Sequence, residues 1–369
     1  MAAQRAGSAA ALRGTGILTI LSVAFPFAPV SVDAVGGAEQ ILALLDGGIA
    51  AAGHRSIVIA CEGSRVAGEL IAPRADRGPW RDAIASVLSR GGVDLVHMHG
   101  LDFAEYLPGG DCAVLATLHL PVSFYPPSVF AVARPRTWLN CVSQSQRRTC
   151  PESPMLTEVV ENGVPVRDLA SACNRLAGER AYPTKTYAIA MGRICPEKGF
   201  HLAIEAADRA RMPLWIAGDV FAYDAHVRYW EEELRPRIRA PHRYLGAVGF
   251  DQKARLLAGA VCLLVPSTVA ETSSLVTMEA MACGTPVVAF RSGALPELID
   301  DGRTGFVVDD VQQMSEAIPA AAKLNREECR REARSRFDAD RMIARYLQLY
   351  DRLRTAQADR ETENAGVAG

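Results

Sequence analysis

The chain has 369 residues, 49% of them hydrophobic and 22% charged, and a formal net charge of -2. A single core stops growing at roughly 250–300 residues, so two globular domains are expected. The near-neutral balance excludes nucleic-acid binding by bulk charge. Nine cysteines, scattered and without a C-x-x-C pair, fit the reduced thiols of a cytosolic protein. A metal or redox site at Cys141 and Cys150 is the alternative to the simpler reading of buried small hydrophobes.

Arg5 and Arg13 precede an apolar run from Ile17 to Val30, and Val32-Asp33-Ala34 has the look of a cleavage site. Pro26 and Pro29 break the run, and it leads straight into Gly36-Gly37 and a helical pattern, so it reads as a first buried strand. The Ala38–Ala52 segment follows as a helix ending near Gly53. Ser56–Cys61, Val93–His97, Ala113–Leu118 and Leu139–Val142 are further apolar runs of strand length. Strand followed by helix, repeated, predicts a doubly wound α/β domain over residues 1–168. A polar stretch at 169–186, containing Pro183, is expected to be the linker. The alternation restarts at Tyr187–Met191 and continues through Pro213–Ala217, His242–Leu245, Val261–Val265 and Pro286–Ala289, giving a second Rossmann-like domain over 187–335. Asn325–Arg354 reads as helical, with Met342, Ile343, Tyr346, Leu347 and Tyr350 on one face. Residues 356–369 are expected to be a disordered tail. Apart from the Ile17–Val30 run, no stretch approaches the roughly 18–20 apolar residues that span a bilayer.

Ligands in such sheets bind beyond the carboxyl ends of the strands, so the cleft between the domains is the expected site. Gly192-Arg193-Ile194-Cys195-Pro196-Glu197-Lys198-Gly199 follows the strand Tyr187–Met191, and a helix starts near Gly199. Free N–H groups, Arg193 and Lys198 can there meet a diphosphate that gains charge as it leaves. A solvated turn with two surface cations is the plainer account. Glu271 and Glu279 flank the Ser273-Ser274-Leu275 turn, which is expected to open a helix with Glu279 about two turns inside it. A carboxylate on an apolar helix needs a partner, and a ribose diol is suitable; two capping or ion-paired acids are the alternative. Gly36-Gly37-Ala38-Glu39 is a glycine turn that lets an anion approach, or an ordinary strand–helix turn. His97 and His99 share a strand face, and His119 ends the strand Ala113–Leu118. No third ligand stands at a telling spacing, so a metal is discounted. Asp338-Ala339-Asp340 matches an Asp-x-Asp metal pattern but lies between helical stretches, where helix capping is expected.

Together these motifs resemble the retaining glycosyltransferases of family 4, the group 1 glycosyl transferases. The matching residues are Gly-Gly-Ala-Glu at 36–39, Val-His-Met-His-Gly at 96–100, Thr-Leu-His at 117–119, Glu-Asn-Gly-Val at 161–164, Gly-Arg-x3-Glu-Lys-Gly at 192–199 and Glu-x7-Glu at 271–279. Leu-Pro-Glu-Leu-Ile at 295–299 and Gly-x-Thr-Gly-Phe at 302–306 also fit. The resemblance implies a GT-B fold, with two facing Rossmann-like domains and a cleft between them. The N-terminal domain would bind the acceptor and the C-terminal domain the nucleotide sugar, and the segment 336–355 would return to the N-terminal domain. His119, Arg193, Lys198 and Glu271 are the implied catalytic residues: Arg193 and Lys198 on the donor diphosphate, Glu271 on the donor sugar, His119 beside the reacting sugar. Gly37, Val248, Ser273, Ser274, Leu275 and Glu279 are the implied donor-binding residues, with Gly37 on the diphosphate, Val248 beside the base and Glu279 on the ribose. Two positions depart from the family pattern. Ser273-Ser274 stands where many members have Phe-Gly, which bears on donor-sugar preference, and Pro165 stands where Asp is frequent.

The implied activity (EC 2.4) is transfer of a sugar from a UDP- or GDP-sugar to a hydroxyl of a glycan, glycolipid or small molecule, without a metal or other cofactor, forming an α-glycoside. The alternatives are a GT-B-like nucleotide-sugar epimerase and a non-catalytic nucleotide- or sugar-binding module. A dinucleotide oxidoreductase is excluded by the lack of G-x-G-x-x-G after any strand. The expected partners are the donor and a carbohydrate or lipid-linked acceptor, met by the Pro121–Pro135 loop with Phe124, Tyr125 and Phe130. The expected location is cytoplasmic. A peripheral contact with the inner face of the membrane through Arg330, Arg331, Arg334 and Arg336 stays open beside a solvated helix face, given Glu327, Glu328 and Glu332 among them.

Overall fold

The computed structural model describes residues 16–74, 77–175 and 185–355. Half of the linker expected at 169–186, the tail at 356–369 and the basic residues Arg5 and Arg13 lie outside these. The N-terminal domain runs β1 (Thr19–Val23), α1 (Gly37–Ala51), β2 (Arg55–Ile59), β3 (Glu69–Ile71), α2 (Arg77–Ser89), β4 (Leu95–Met98), β5 (Ala113–Leu118), β6 (Thr137–Cys141) and α3 (Gln144–Thr149). The C-terminal domain runs α4 (Val166–Arg175), β7 (Ala188–Met191), α5 (Phe200–Arg209), β8 (Leu214–Ala217), α6 (Asp224–Arg228), β9 (Arg243–Tyr244) and α7 (Phe250–Gly259). It continues through β10 (Leu263–Val265), α8 (Leu275–Ala282), β11 (Val287–Phe290), α9 (Leu295–Leu298), β12 (Gly305–Val308), α10 (Val311–Ala321) and α11 (Arg326–Arg336). The last helix is α12 (Ala339–Thr355).

Each domain holds one six-stranded sheet, ordered β3-β2-β1-β4-β5-β6 and β12-β11-β10-β7-β8-β9, and every ladder is parallel. Parallel strands are covered on both faces, which is why their sequences read as unbroken apolar runs rather than alternating ones. Strand order reverses between β1 and β4 in one sheet and between β7 and β10 in the other. At such switch points the loops leaving the strands diverge and open a crevice. The fold expected from the alternation is therefore present in both halves.

Three expectations change. The linker was placed from residue 169, but Val166–Arg175 is helix α4, and Val164, Val166, Leu169 and Ala172 are buried in the core of the C-terminal domain. Its amphipathic period was hidden by short length and by charges on the outer face. The helical stretch expected over Asn325–Arg354 is interrupted at Phe337–Asp338, beside the acids expected to cap a second helix. Asn325 caps α11 by accepting from Glu327 N, and Asp338 accepts from Asp340 N at 3.1 Å, the capping role expected for that pair of acids. Strands β3 and β12 were not anticipated, because both are short edge strands, and β3 is largely exposed.

Helix α12 crosses back to the N-terminal domain. Met342, Tyr346, Leu347, Leu349, Tyr350 and Leu353 pack with Ile20, Ile41, Leu45, Ile49 and Leu115. The two passages between domains run side by side: Val164 N donates to Phe337 O at 2.8 Å, and Ala339 N to Val164 O at 2.9 Å. No helix among the described residues is long and apolar enough to cross a membrane.

Candidate active site

The strand β7 ends at Met191, and the chain turns through Gly192–Lys198 into α5. Gly199 sits at φ 63° before that helix, and a Cβ there would lie 2.2 Å from Pro266 O, so only glycine lets this turn pack on the end of β10. The turn presents Lys198, whose Nζ lies 2.6 Å from Glu271 Oε1. Glu271 is 8% exposed and also accepts from the Ser267 hydroxyl, while Lys198 is 29% exposed. A carboxylate removed from water this far requires such partners. The cation keeps a face to the cleft. Arg193, exposed on the same turn, lies 5.8 Å from the Phe221 ring centre and beside the Cys195 thiol.

Helix α8 begins at Leu275 with Ser274 as its N-cap. The Ser274 side chain accepts from Thr277 Oγ1 at 2.9 Å rather than from a backbone N–H, so the first amides of α8 are not closed off by their cap. Ser273 Oγ is buried without a partner. Because the helix starts at 275, Glu279 lies a little over one turn inside it, not two. Glu279 is paired with Lys253 of α7, Nζ to Oε1 2.5 Å. Lys253 was missed, since a lone lysine on an amphipathic helix looks like any surface cation. Ser267 was missed as well, although its place two residues after β10 could have marked it.

From the N-terminal domain, α1 points its first turn at α8. A Cβ on Gly37 would lie 3.3 Å from Leu275 Cδ1. Glu39, 8% exposed, folds back over Gly36; burial raises its pKa and Arg193 across the cleft opposes that rise. His119, at the end of β5, lies between the domains: its carbonyl accepts from Thr272 Oγ1 at 2.8 Å. Its Nε2 is 3.0 Å from His99 Nδ1, and burial lowers its pKa to about 4, so it is neutral near pH 7. His97 is structural. Thr117 Oγ1 donates to Asn140, so the 2.7 Å contact to Thr117 comes from His97 Nε2–H, and His97 Nδ1 accepts from the Tyr350 hydroxyl at 2.7 Å. A second tie between domains joins Glu297 to Arg148 at 2.6 Å and to the Gln144 amide at 3.1 Å.

The structure thus gathers His119, Arg193, Lys198, Glu271, Ser273, Ser274, Leu275 and Gly37 around the facing strand ends, with Glu279 one turn behind. Val248 lies in the loop between β9 and α7, partly buried against the C-terminal core. A cavity of about 300 Å³ lined by Asp94, Asp111, Arg136 and Arg354 lies at the amino ends of β4 and β5, the wrong edge of the sheet for these groups. The thiols of Cys141 and Cys150 are 3.4 Å apart. Arg330, Arg331, Arg334 and Arg336 each pair with Glu327, Glu328 or Glu332, which offsets part of the basic charge of α11.

Residues 185–323, from the start of β7 to the end of α10, match the family model for glycosyl transferases group 1. This domain is thus similar to the group 1 glycosyltransferases. An alpha-maltose-1-phosphate synthase of Mycobacterium tuberculosis is 30% identical over 165 residues, 42% of this chain and 42% of that protein. A GDP-mannose-dependent alpha-mannosyltransferase of Corynebacterium glutamicum is 25% identical over 270 residues, 65% of this chain and 61% of that protein. The chain spans about half the length of the curated relatives it matches. The crystal structure of Anabaena Alr3699/HepE with UDP and glucose superposes with a TM-score of 0.68 at 18% identity, over 90% of this chain and 99% of that one. With the two facing sheets, this likeness gives the fold as GT-B.

Proposed function

We propose that this glycosyltransferase moves a sugar from a UDP- or GDP-sugar to a hydroxyl acceptor with retention of the anomeric configuration, forming an α-glycoside. The observation that carries the reading is the Lys198–Glu271 pair, 2.6 Å apart at the mouth of the group 1 domain and facing the start of α1. A charge-fixed cation beside open helix amides stabilises a departing diphosphate, which is where negative charge develops in the transition state. The carboxylate holds that cation in place and offers its second oxygen to a sugar hydroxyl. Arg193 supplies a further positive charge, so the residues meet the diphosphate without a divalent ion. UDP and GDP are named together because the mannosyltransferase relative uses GDP-mannose and the Anabaena structure holds UDP.

Among the described residues, Glu279 is bound to Lys253, Glu39 is folded over Gly36 and Glu197 turns toward Cys195 and His226, so none of these carboxylates is set beside the pair as a nucleophile. Same-face attack, with the leaving phosphate taking the acceptor's proton, is therefore the proposed route. The acceptor would enter from the N-terminal side, near His119 and the exposed Phe124. The test is a hydrolysis and transfer screen of purified protein against a panel of nucleotide sugars, with product configuration read by NMR. Inversion of the anomeric centre would refute retention, and conversion of the nucleotide sugar to its epimer would replace the reading by an epimerase.

A further inference from the structure

We propose that Cys195, Glu197 and His226 form a binding site for a thiophilic divalent cation, with zinc the best match. Cys195 and Glu197 lie on the turn after β7, and His226 on α6 after the neighbouring strand β8. Each offers one ligand atom, and these atoms lie within 4.8 Å of one another. Cys195 is fully buried and His226 is 9% exposed. A second observation points to a ligand: His226 Nδ1 and Glu197 Oε2 are both buried and have no hydrogen-bond partner. The Cys195 thiol hydrogen-bonds the Glu197 carboxylate, but one ring nitrogen of His226 and one oxygen of Glu197 stay unpaired beside it, which is costly unless something sits among them.

The donor set is thiol, imidazole and carboxylate, the combination that selects zinc over the hard cations. Tetrahedral bonds of about 2.0–2.3 Å bring ligand atoms to about 3.3–3.8 Å from one another, so side-chain rotation of about an ångström closes the site. Three protein ligands leave a fourth position for water. Binding releases the Cys195 proton to solvent, and thiolate plus carboxylate then balance the two charges of the ion. This site adjoins the proposed reacting centre through Arg193, which lies against Cys195, but shares none of its ligands with it. Glu197 turns toward Cys195 and His226, while its neighbour Lys198 turns toward Glu271. A bound ion would fasten the turn after β7 to α6, so its role is to stiffen that turn.

The experiment uses the full chain, reduced and stripped with chelator, titrated anaerobically with cobalt(II) and then with zinc. The expected result is a 1:1 complex with a thiolate-to-cobalt charge-transfer band and the intense visible bands of tetrahedral cobalt, all displaced by zinc. Cys195→Ser should abolish the charge-transfer band, and His226→Gln should weaken cobalt binding at least about tenfold. Zinc should raise the Tm of the wild type and not of Cys195→Ser. No thiolate band in the wild type, or an undiminished band in Cys195→Ser, overturns the proposal; the first result would leave a buried water as the occupant and the second would move the metal to other cysteines. If Cys195→Ser does not fold, His226→Gln decides, and wild-type affinity in that variant overturns the site.

Discussion

Gly37 and Leu275, from opposite domains, face each other at a separation that leaves 3.3 Å for a Cβ on the glycine. The starts of α1 and α8 thus close on one point. Gly37→Val should fold, because the position opens a helix, but it should wedge the two helix ends apart. Overpacking of this kind costs about 1–3 kcal/mol, a loss of roughly 5- to 150-fold in kcat/KM. Steady-state kinetics with the best donor, set beside thermal melts, check this; unchanged kinetics would mean that the two helix ends do not share a ligand.

Lys198→Ala removes the cation at the mouth of the group 1 domain and leaves Glu271 with the Ser267 hydroxyl. Turnover should fall by about 10²–10³, the scale for losing one charge-stabilising donor, while the protein stays folded. Intact-mass spectrometry of a donor-loaded sample should show no glycosyl adduct. Near-normal turnover, or a trapped adduct, contradicts the proposed route.

Glu279→Ala should act mainly on binding. A ribose contact is the same in ground and transition states, so KM rises and kcat holds. A hydrogen bond to a charged group is worth about 1.5–3 kcal/mol, hence a rise of roughly 10- to 150-fold. A fall in kcat with constant KM would place Glu279 in the reaction instead.

Chelation is expected to leave catalysis intact. In the proposed route Arg193 and Lys198 supply the positive charge, so turnover should persist in excess EDTA, measured on dialysed protein well below its Tm, where the loss of a stiffening zinc leaves the turn folded. Loss of activity restored by manganese would contradict the metal-free reading.

His119 makes stability depend on pH. Burial lowers its pKa from the ordinary 6.5 to about 4, and burial also pushes His97 and His99 well below 6.5. Between these values the unfolded chain binds more protons than the folded one. Stability is therefore complete above pH 6.5 and declines as pH falls through the window toward 4. Thermal melts across that window should show Tm dropping, and the drop should be shallower in His119→Asn. Equal slopes in both proteins would assign the loss to other groups.

Much of this was legible beforehand because burial on both faces writes parallel strands as plain apolar runs. Ala113–Leu118 was delimited to the residue, and Gly192–Gly199 and Glu271–Glu279 fell where strand ends meet. What escaped were relationships with no local pattern. Lys253 reaches Glu279 only because α7 packs on α8, so the ion pair weighed as the alternative for that acid is present, but its cation could not be named from the sequence. Helix α4 looked like a linker, since its apolar side has meaning only against the C-terminal core. By contrast, the break near Phe337 was legible from the capping acids Asp338 and Asp340 that follow it. The interdomain roles of Thr272 and Glu297 depend on which surfaces face each other, a property of the assembled chain.

The return of α12 makes the N-terminal domain a product of two separated stretches of gene. Its core contains Tyr346 and Tyr350, the latter bonded to His97 and both reached only after the whole second domain has been translated. Recombination that exchanges the group 1 domain for a relative's must therefore cut twice. A single crossover would put a foreign helix on the native Thr117–Asn140 network. The two cuts are well placed for it: Val164 is hydrogen-bonded to Phe337 and Ala339, so both seams of a chimaera would lie at one spot in space. Lineages of this architecture can thus trade one domain while keeping the other, provided that the last helix travels with the first domain.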